Sequence, residues 1–284
     1  MFYLIHKPSG ITSHDVISQM RKVLGIKRIG HAGTLDPLAS GLMIVAVGND
    51  TKLLEYVVGL DKKYQCTFRL GATSDTYDNE GTIIVMAGAP MIGENDLKRV
   101  LQEFTGDIYQ VPPQYSAIKI QGKKAYEYAR EGQSITIPPR LISMYSLELV
   151  NFSYPDVTIA VHCSSGTYIR TLAHDIGKRL NSGAYVTKLI RTNIGNSSLT
   201  EAIDLATVDK NSPTINFKSI CPQYEYRDLT EEEWRKVKMG QAISSTIDYV
   251  NEIVLGSYHD QIVSVLQYSK HSHSLHPKKN LPLQ

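Results

Sequence analysis

Apolar residues follow one of two periods along most of this chain, every second position or every third and fourth, and each period predicts its own element. Phe2-Tyr3-Leu4-Ile5 is a short apolar strand that stops at the turn Lys7-Pro8-Ser9-Gly10-Ile11-Thr12-Ser13. Thr12 or Ser13 stands where a helix over about 14–24 needs its cap, and Val16, Ile17, Met20 and Val23 give that helix one apolar stripe. Leu42 to Val47 is unbroken apolar sequence of strand length. A short helix over 51–58 and an alternating strand over 62–71 follow. Asn95 to Phe104 has the pattern of a capped amphipathic helix, stopped at Gly106. Further on come a strand over 115–119, a helix over 124–130, two strands over 142–154 and 156–163, and, after the block 165–172, a helix to about Leu180. The patterning weakens after Ser198. It leaves a linker over 209–213, a capping-box start at Thr230-Glu231-Glu232-Glu233 before Trp234, short strands over 253–255 and 261–268, and a late loop over 276–279.

One stretch fits neither period: Gly30-His31-Ala32-Gly33-Thr34-Leu35-Asp36-Pro37-Leu38-Ala39-Ser40-Gly41-Leu42. Its glycines open backbone angles closed to other residues, and Pro37 pushes Asp36 toward an extended conformation. A single carboxylate is thus offered from a stiff loop that runs into a core strand, which is a sound mount for a nucleophile. The same carboxylate could simply cap backbone N–H groups in an Asx-type turn.

Length and composition narrow the field. With 284 residues, 42% hydrophobic and 20% charged, the chain is an ordinary globular protein with room for one large domain and one small one. No apolar run is long enough to span a membrane, and the first ten residues, with His6, Lys7 and Pro8, do not read as a signal peptide. Cys66, Cys163 and Cys221 are odd in number and far apart, which argues against a disulfide framework or a zinc site and fits a cytoplasmic protein. The net charge of +2 is small but unevenly spread. Lys and Arg exceed Asp and Glu by 9 to 5 over residues 1–70, fall to 2 against 7 over 71–118, and lead again by 10 to 5 over 119–191. Two basic blocks around an acidic one suit a surface with one face turned to phosphate, although scattered surface charge gives similar sums.

The motif loop resembles the catalytic loop of the TruB-type tRNA pseudouridine synthases, and further blocks follow in that family's order from Met1 to Asn196. They include Lys7-Pro8-Ser9-Gly10-Ile11-Thr12-Ser13, Lys62 to Gly71, the acidic turn Asp75 to Gly81, Gln110 to Lys119 and Ser165 to Leu172. The resemblance implies an α+β pseudouridine synthase fold with a mixed, largely antiparallel sheet, as a catalytic domain over 1–212. A small, diverged, β-rich PUA-like domain over 213–284 follows from the same likeness. It also implies isomerisation of uridine 55 in the T loop of tRNA, with the nucleotide flipped into a pocket. Asp36, Tyr64 and Arg170 take the catalytic positions: the acid, the ring against the uracil, and the guanidinium that pairs with the acid. His31, Lys7, Tyr168 and Leu189 take substrate- or RNA-binding positions.

Several of these readings have alternatives. Tyr168 and Arg170 share a face if their segment is extended, while Arg170 could be an ordinary arginine at a helix start. Lys7 could support the catalytic loop or sit on the surface, and His31 could fill the gap in the T loop or merely stabilise its own loop. After Leu189 the family's second basic residue and its Gly-x-Phe are missing, leaving Arg191 followed by Thr192. No cofactor, metal or guide RNA is expected, and a monomer acting on the T arm is the simplest partner reading. His271, His273 and His276 lack a further ligand and read as a solvated tail.

Overall fold

The computed structural model describes residues 1–283. In chain order the first half forms β1 (Phe2–Lys7), α1 (Ser13–Leu24), β2 (Ile29–His31), β3 (Ser40–Val47), α2 (Leu54–Val58), β4 (Lys62–Leu70), β5 (Ala72–Ser74), β6 (Ile83–Val85), α3 (Glu94–Glu103), β7 (Gly106–Gln110), β8 (Lys119–Ile120), β9 (Lys123–Lys124) and α4 (Ala125–Arg130). Then come β10 (Arg140–Ser153), β11 (Asp156–Cys163), α5 (Ile169–Arg179), β12 (Ala184–Ile194), β13 (Ser197–Ser198) and β14 (Ile203–Asp204). The remainder is α6 (Phe217–Ile220), β15 (Glu225–Asp228), α7 (Glu231–Lys238), β16 (Ile243–Ser244), β17 (Ile253–Tyr258), β18 (Gln261–Ser269) and β19 (Ser274–Asn280).

The main sheet runs β14-β1-β3-β12-β4-β11-β10-β7, with β2 on β3 and β13 on β12. It is mixed: β1 with β14 and β12 with β3 are parallel, and the other pairs are antiparallel. Both of its faces are covered, which explains why Leu42 to Val47 is apolar without a break. Met43, Val45 and Val47 pack with Val16, Ile17 and Met20 of α1 and with Leu172, Ala173 and Ile176 of α5. Leu42, Ile44 and Ala46 point the other way, where Phe217, Ile220, Leu255, Val265 and Leu281 meet them. A second sheet, β15-β17-β18-β19-β16, therefore shares a hydrophobic core with the outer face of the first.

Four local expectations need correction. Tyr115 to Ile118 is irregular rather than a strand, because two prolines and a chain of turns deny it a neighbour, and pairing starts only at Lys119. Asn95 lies inside the first turn of α3, and Gly93 stands at its cap with no side-chain bond. Residues 276–279 belong to β19, paired with β18, instead of a loop. Ile29–His31, inside the stretch read as irregular, pairs with β3. The capping boxes at Thr12/Asp15 and Thr230/Glu233 form as the sequence implies.

Candidate active site

The loop between β2 and β3 is stapled to the segment before α1. Ser13 Oγ donates to Leu35 O at 3.0 Å and accepts from Leu35 N at 2.8 Å. Ser9 Oγ donates to Leu38 O at 2.7 Å, and Gly10 N donates to Pro37 O at 2.8 Å. Lys7 lies behind the loop, with Nζ donating to Ala39 O at 2.7 Å, Pro8 O at 2.9 Å and Pro37 O at 3.3 Å. The ammonium is 0% exposed, and burial draws its pKa down to about 8. Lys7 was placed among the RNA-binding residues; with its donors turned onto loop carbonyls it is a strut for the loop, not an RNA contact. Asp36 is thereby presented from backbone fixed on both sides.

Arg170 meets it. Nε donates to Asp36 Oδ2 at 2.7 Å and Nη2 to Asp36 Oδ1 at 3.1 Å, a two-pronged pair. The same guanidinium donates to Thr76 O at 2.8 Å and to Tyr115 O at 2.9 Å. Its Nη1 also lies 3.5 Å from Asp78 Oδ2, and both Arg170 and Asp78 are about 4% exposed against 34% for Asp36. Asp78 Oδ1 accepts from Thr76 Oγ1 at 2.5 Å and from Glu80 N at 3.0 Å. One arginine thus bridges a half-buried and a buried carboxylate. The segment around it is not extended: Tyr168 alone has extended angles, at the cap of α5, and Arg170 sits in the first helical turn. Gln110 fixes that start, accepting from Tyr168 N at 2.8 Å and donating to Tyr168 O at 3.0 Å.

A cavity of about 690 Å³ opens over this pair. Asp36, Tyr64, Leu189, Tyr168, Arg170, His31 and Asp78 line it, as does Arg191. The site residues read from the sequence therefore gather here, Lys7 excepted. Leu189 is 5% exposed on β12, and Tyr64 is partly buried on β4. Burial pushes the Tyr64 phenol above its usual pKa, with the Arg191 charge working against it. Burial, then Arg191, lowers the His31 pKa, so the ring is neutral at pH 7, and its Nδ1 is buried without a partner. Tyr126, Lys124 and Arg130, from β9 and α4, stand at the rim. The Arg130 guanidinium lies 5.2 Å from the Tyr126 ring centre, and Lys123 Nζ lies 4.6 Å from that of Tyr128.

Two residues were missed. Asp78 was legible only as part of an acidic turn, since nothing in its spacing tells which carboxylate turns inward. Arg191 follows Leu189 by two positions, so on a strand it shares that side chain's face. Nε donates to Leu42 O at 2.8 Å and Nη2 to Gly33 O at 3.2 Å. Strands β12 and β3 approach so closely here that a Cβ on Gly41, at φ 114°, would lie 2.3 Å from Arg191 O.

Comparison with known proteins gives this geometry a setting. The family model described as TruB family pseudouridylate synthase (N terminal domain) matches residues 21–169. The tRNA pseudouridine synthase B of Caldanaerobacter subterraneus subsp. tengcongensis is 38% identical over 249 residues, 87% of this chain and 87% of that protein. Its namesake from Opitutus terrae is 40% identical over 222 residues, 78% of this chain and 92% of that one. In Prochlorococcus marinus the namesake is 43% identical over 248 residues, 84% and 79% of the two chains. Among solved structures, an H/ACA RNP bound to a substrate RNA containing 2′-deoxyuridine superposes with a TM-score of 0.72 at 20% identity, over 99% of this chain and 85% of that one. A Cbf5-Nop10-Gar1 complex gives 0.69 at 22%, over 100% and 83%. At such identities these two speak for the fold, an α+β pseudouridine synthase sheet followed by a small curled, PUA-like β unit. With the family model covering more than half its length and close relatives nearly all of it, the chain belongs to the TruB family of pseudouridylate synthases.

Proposed function

We propose that this protein isomerises uridine 55 in the T loop of tRNA to pseudouridine, as a monomer in the cytoplasm and without a guide RNA. The observation that carries the reading is the two-pronged Asp36–Arg170 pair under a cavity walled by Tyr64 and Leu189, in a chain whose relatives are named tRNA pseudouridine synthase B. Residues 1–212 form the catalytic domain in this reading, and 213–284 the diverged PUA-like one.

A stacked base is out of reach of a carboxylate on a rigid loop, so the uridine must swing out of the T loop. His31, neutral and on the cavity wall, takes the space it leaves. Leu189 and the Tyr64 ring hold the uracil between them. Arg170 keeps Asp36 ionised and aimed, and Asp36 starts the reaction at the ribose C1′, at C6 of the uracil, or by taking a ribose proton. Each route breaks the N1–C1′ bond, turns the base, joins C5 to C1′, and in net moves the C5 proton to N1. The basic, aromatic rim of Lys123, Lys124, Tyr126 and Arg130 meets the phosphates of the T arm.

The test is site-resolved pseudouridine mapping on unmodified tRNA transcripts incubated with the purified chain alone. Product at the T-loop uridine is expected. Binding without product would overturn the stand-alone reading in favour of a required guide or partner.

A further inference from the structure

We propose that Arg191 is the group that faces the negative charge of the flipped uracil, and that it orients Tyr64 by donating to the phenol oxygen. This rests on the function proposed above.

The electron count sets the need. When the N1–C1′ bond breaks, its electron pair stays with the uracil. The ring is then anionic until C5 bonds to C1′, after which C5 loses its proton and N1 gains one. Four buried cations lie at or behind the cavity floor, and one of them, Lys62, is spent on Val58 O and Leu60 O. Arg170 is spent: its donors go to Asp36, Thr76 O and Tyr115 O, with Asp78 beside it. Lys7 is spent on three carbonyls behind the loop. Arg191 remains. It is 1% exposed, and among the described residues it has no carboxylate at ion-pair distance; its guanidinium donates to two carbonyls, and Tyr64 is its cross-strand partner on β4. A buried guanidinium without a counter-ion is costly, and an anion arriving in the cavity it lines removes that cost.

The proposed bond from Arg191 to its cross-strand partner Tyr64 has a direction. A guanidinium has donors only, so the Tyr64 oxygen accepts. The phenol's own hydrogen is then free to point elsewhere, and the cavity lined by Tyr64 offers the uracil oxygens as acceptors. Arg191 also holds Gly33, in the loop that carries Asp36, and Leu42, in the strand that follows it. Its position is common to the nucleophile's mount and the base's pocket.

The test separates charge stabilisation from mere support. The full chain and its Arg191→Lys, Arg191→Met and Tyr64→Phe variants are given T-arm RNA with uridine or 5-fluorouridine at the target. Single-turnover consumption is measured, with RNA affinity and thermal unfolding as controls. Fluorine withdraws electrons and stabilises the uracil anion unaided. Arg191→Met should slow uridine by about 100-fold, the size expected for a lost anion-stabilising donor, and 5-fluorouridine by less than about tenfold. Arg191→Lys, which keeps the charge and loses the fork, should fall between, and Tyr64→Phe should shift the ratio in the same direction. Equal slowing on both bases, or an unchanged uridine rate, overturns the proposal. If the Arg191 variants do not fold, Tyr64→Phe decides by the same ratio. A wild-type chain that makes no pseudouridine overturns the parent reading with it, whereas an active wild type with a flat ratio overturns this inference alone.

Discussion

Replacing Arg170 by lysine tests the geometry of the site rather than its charge. The guanidinium reaches Asp36 with two nitrogens and two backbone carbonyls with the rest of its fork. An ammonium is a point donor on a flexible stem and cannot span these four acceptors. It keeps one bond to Asp36 at best, so the carboxylate loses its fixed orientation. A hydrogen bond to a charged group contributes about 1.5–3 kcal/mol, and the lost prong together with lost aim comes to about 3 kcal/mol. That is about 150-fold in rate. Stability suffers less, because the positive charge still faces Asp78, which is 4% exposed, and Asp36, at 34%, can recruit water. Single-turnover pseudouridine formation at saturating enzyme reads the chemical step, and filter binding and thermal melts read the rest. A variant that folds like the wild type and turns over within fivefold of it would refute the claim that the fork positions the nucleophile.

Asp36→Asn should abolish product while RNA affinity stays within a few-fold, and measurable turnover would remove Asp36 from the chemistry. Asp78→Asn should slow turnover by about 1–2 kcal/mol, as expected for one displaced charge-assisted contact on Arg170, with little change in RNA affinity. Lys7 makes stability depend on pH. Its folded pKa of about 8 lies below the ordinary lysine value, so the unfolded chain binds more protons between the two, and stability rises with pH across that interval. Denaturant titrations should show the wild type gaining on Lys7→Met from pH 8 to 10; a constant difference would contradict the burial argument. RNA binding should weaken as salt rises, and changing Lys123, Lys124 and Arg130 to Gln should flatten that slope, as read by titration at several salt concentrations.

The motif loop, the strand after it and the pairing of Asp36 with Arg170 were legible because a fixed glycine and proline pattern and a matched block of sequence record them. The reason for the apolar run at Leu42 to Val47 was not, since a strand buried on both faces looks the same whatever covers it. Arg170 at a helix start stood only as the alternative to an extended segment, because Tyr168 is extended and the helix starts one residue later. Lys7 was left between a support for the loop and a surface residue, for lysine usually is the latter, and only the carbonyls of a loop thirty residues away decide for burial. Arg191 stood in a block that otherwise departs from the family's pattern, which drew attention to what was missing there rather than to what remained. Residues 276–279 are polar in sequence yet paired in space, because β18 supplies their hydrogen bonds.

The shared core carries a consequence for synthesis in the cell. Strand β1 lies beside β14, Ile215 N donates to Phe2 O, and Phe2 and Leu4 pack with Val265 and Leu281. Strand β1 is thus completed by residues far along the chain. Lys7, which braces the catalytic loop, belongs to that strand. A ribosome-bound chain short of Leu281 should carry an exposed apolar face and an unbraced Asp36, and be a client for chaperones. The growing polypeptide would then stay inactive toward RNA until Leu281 has left the ribosome.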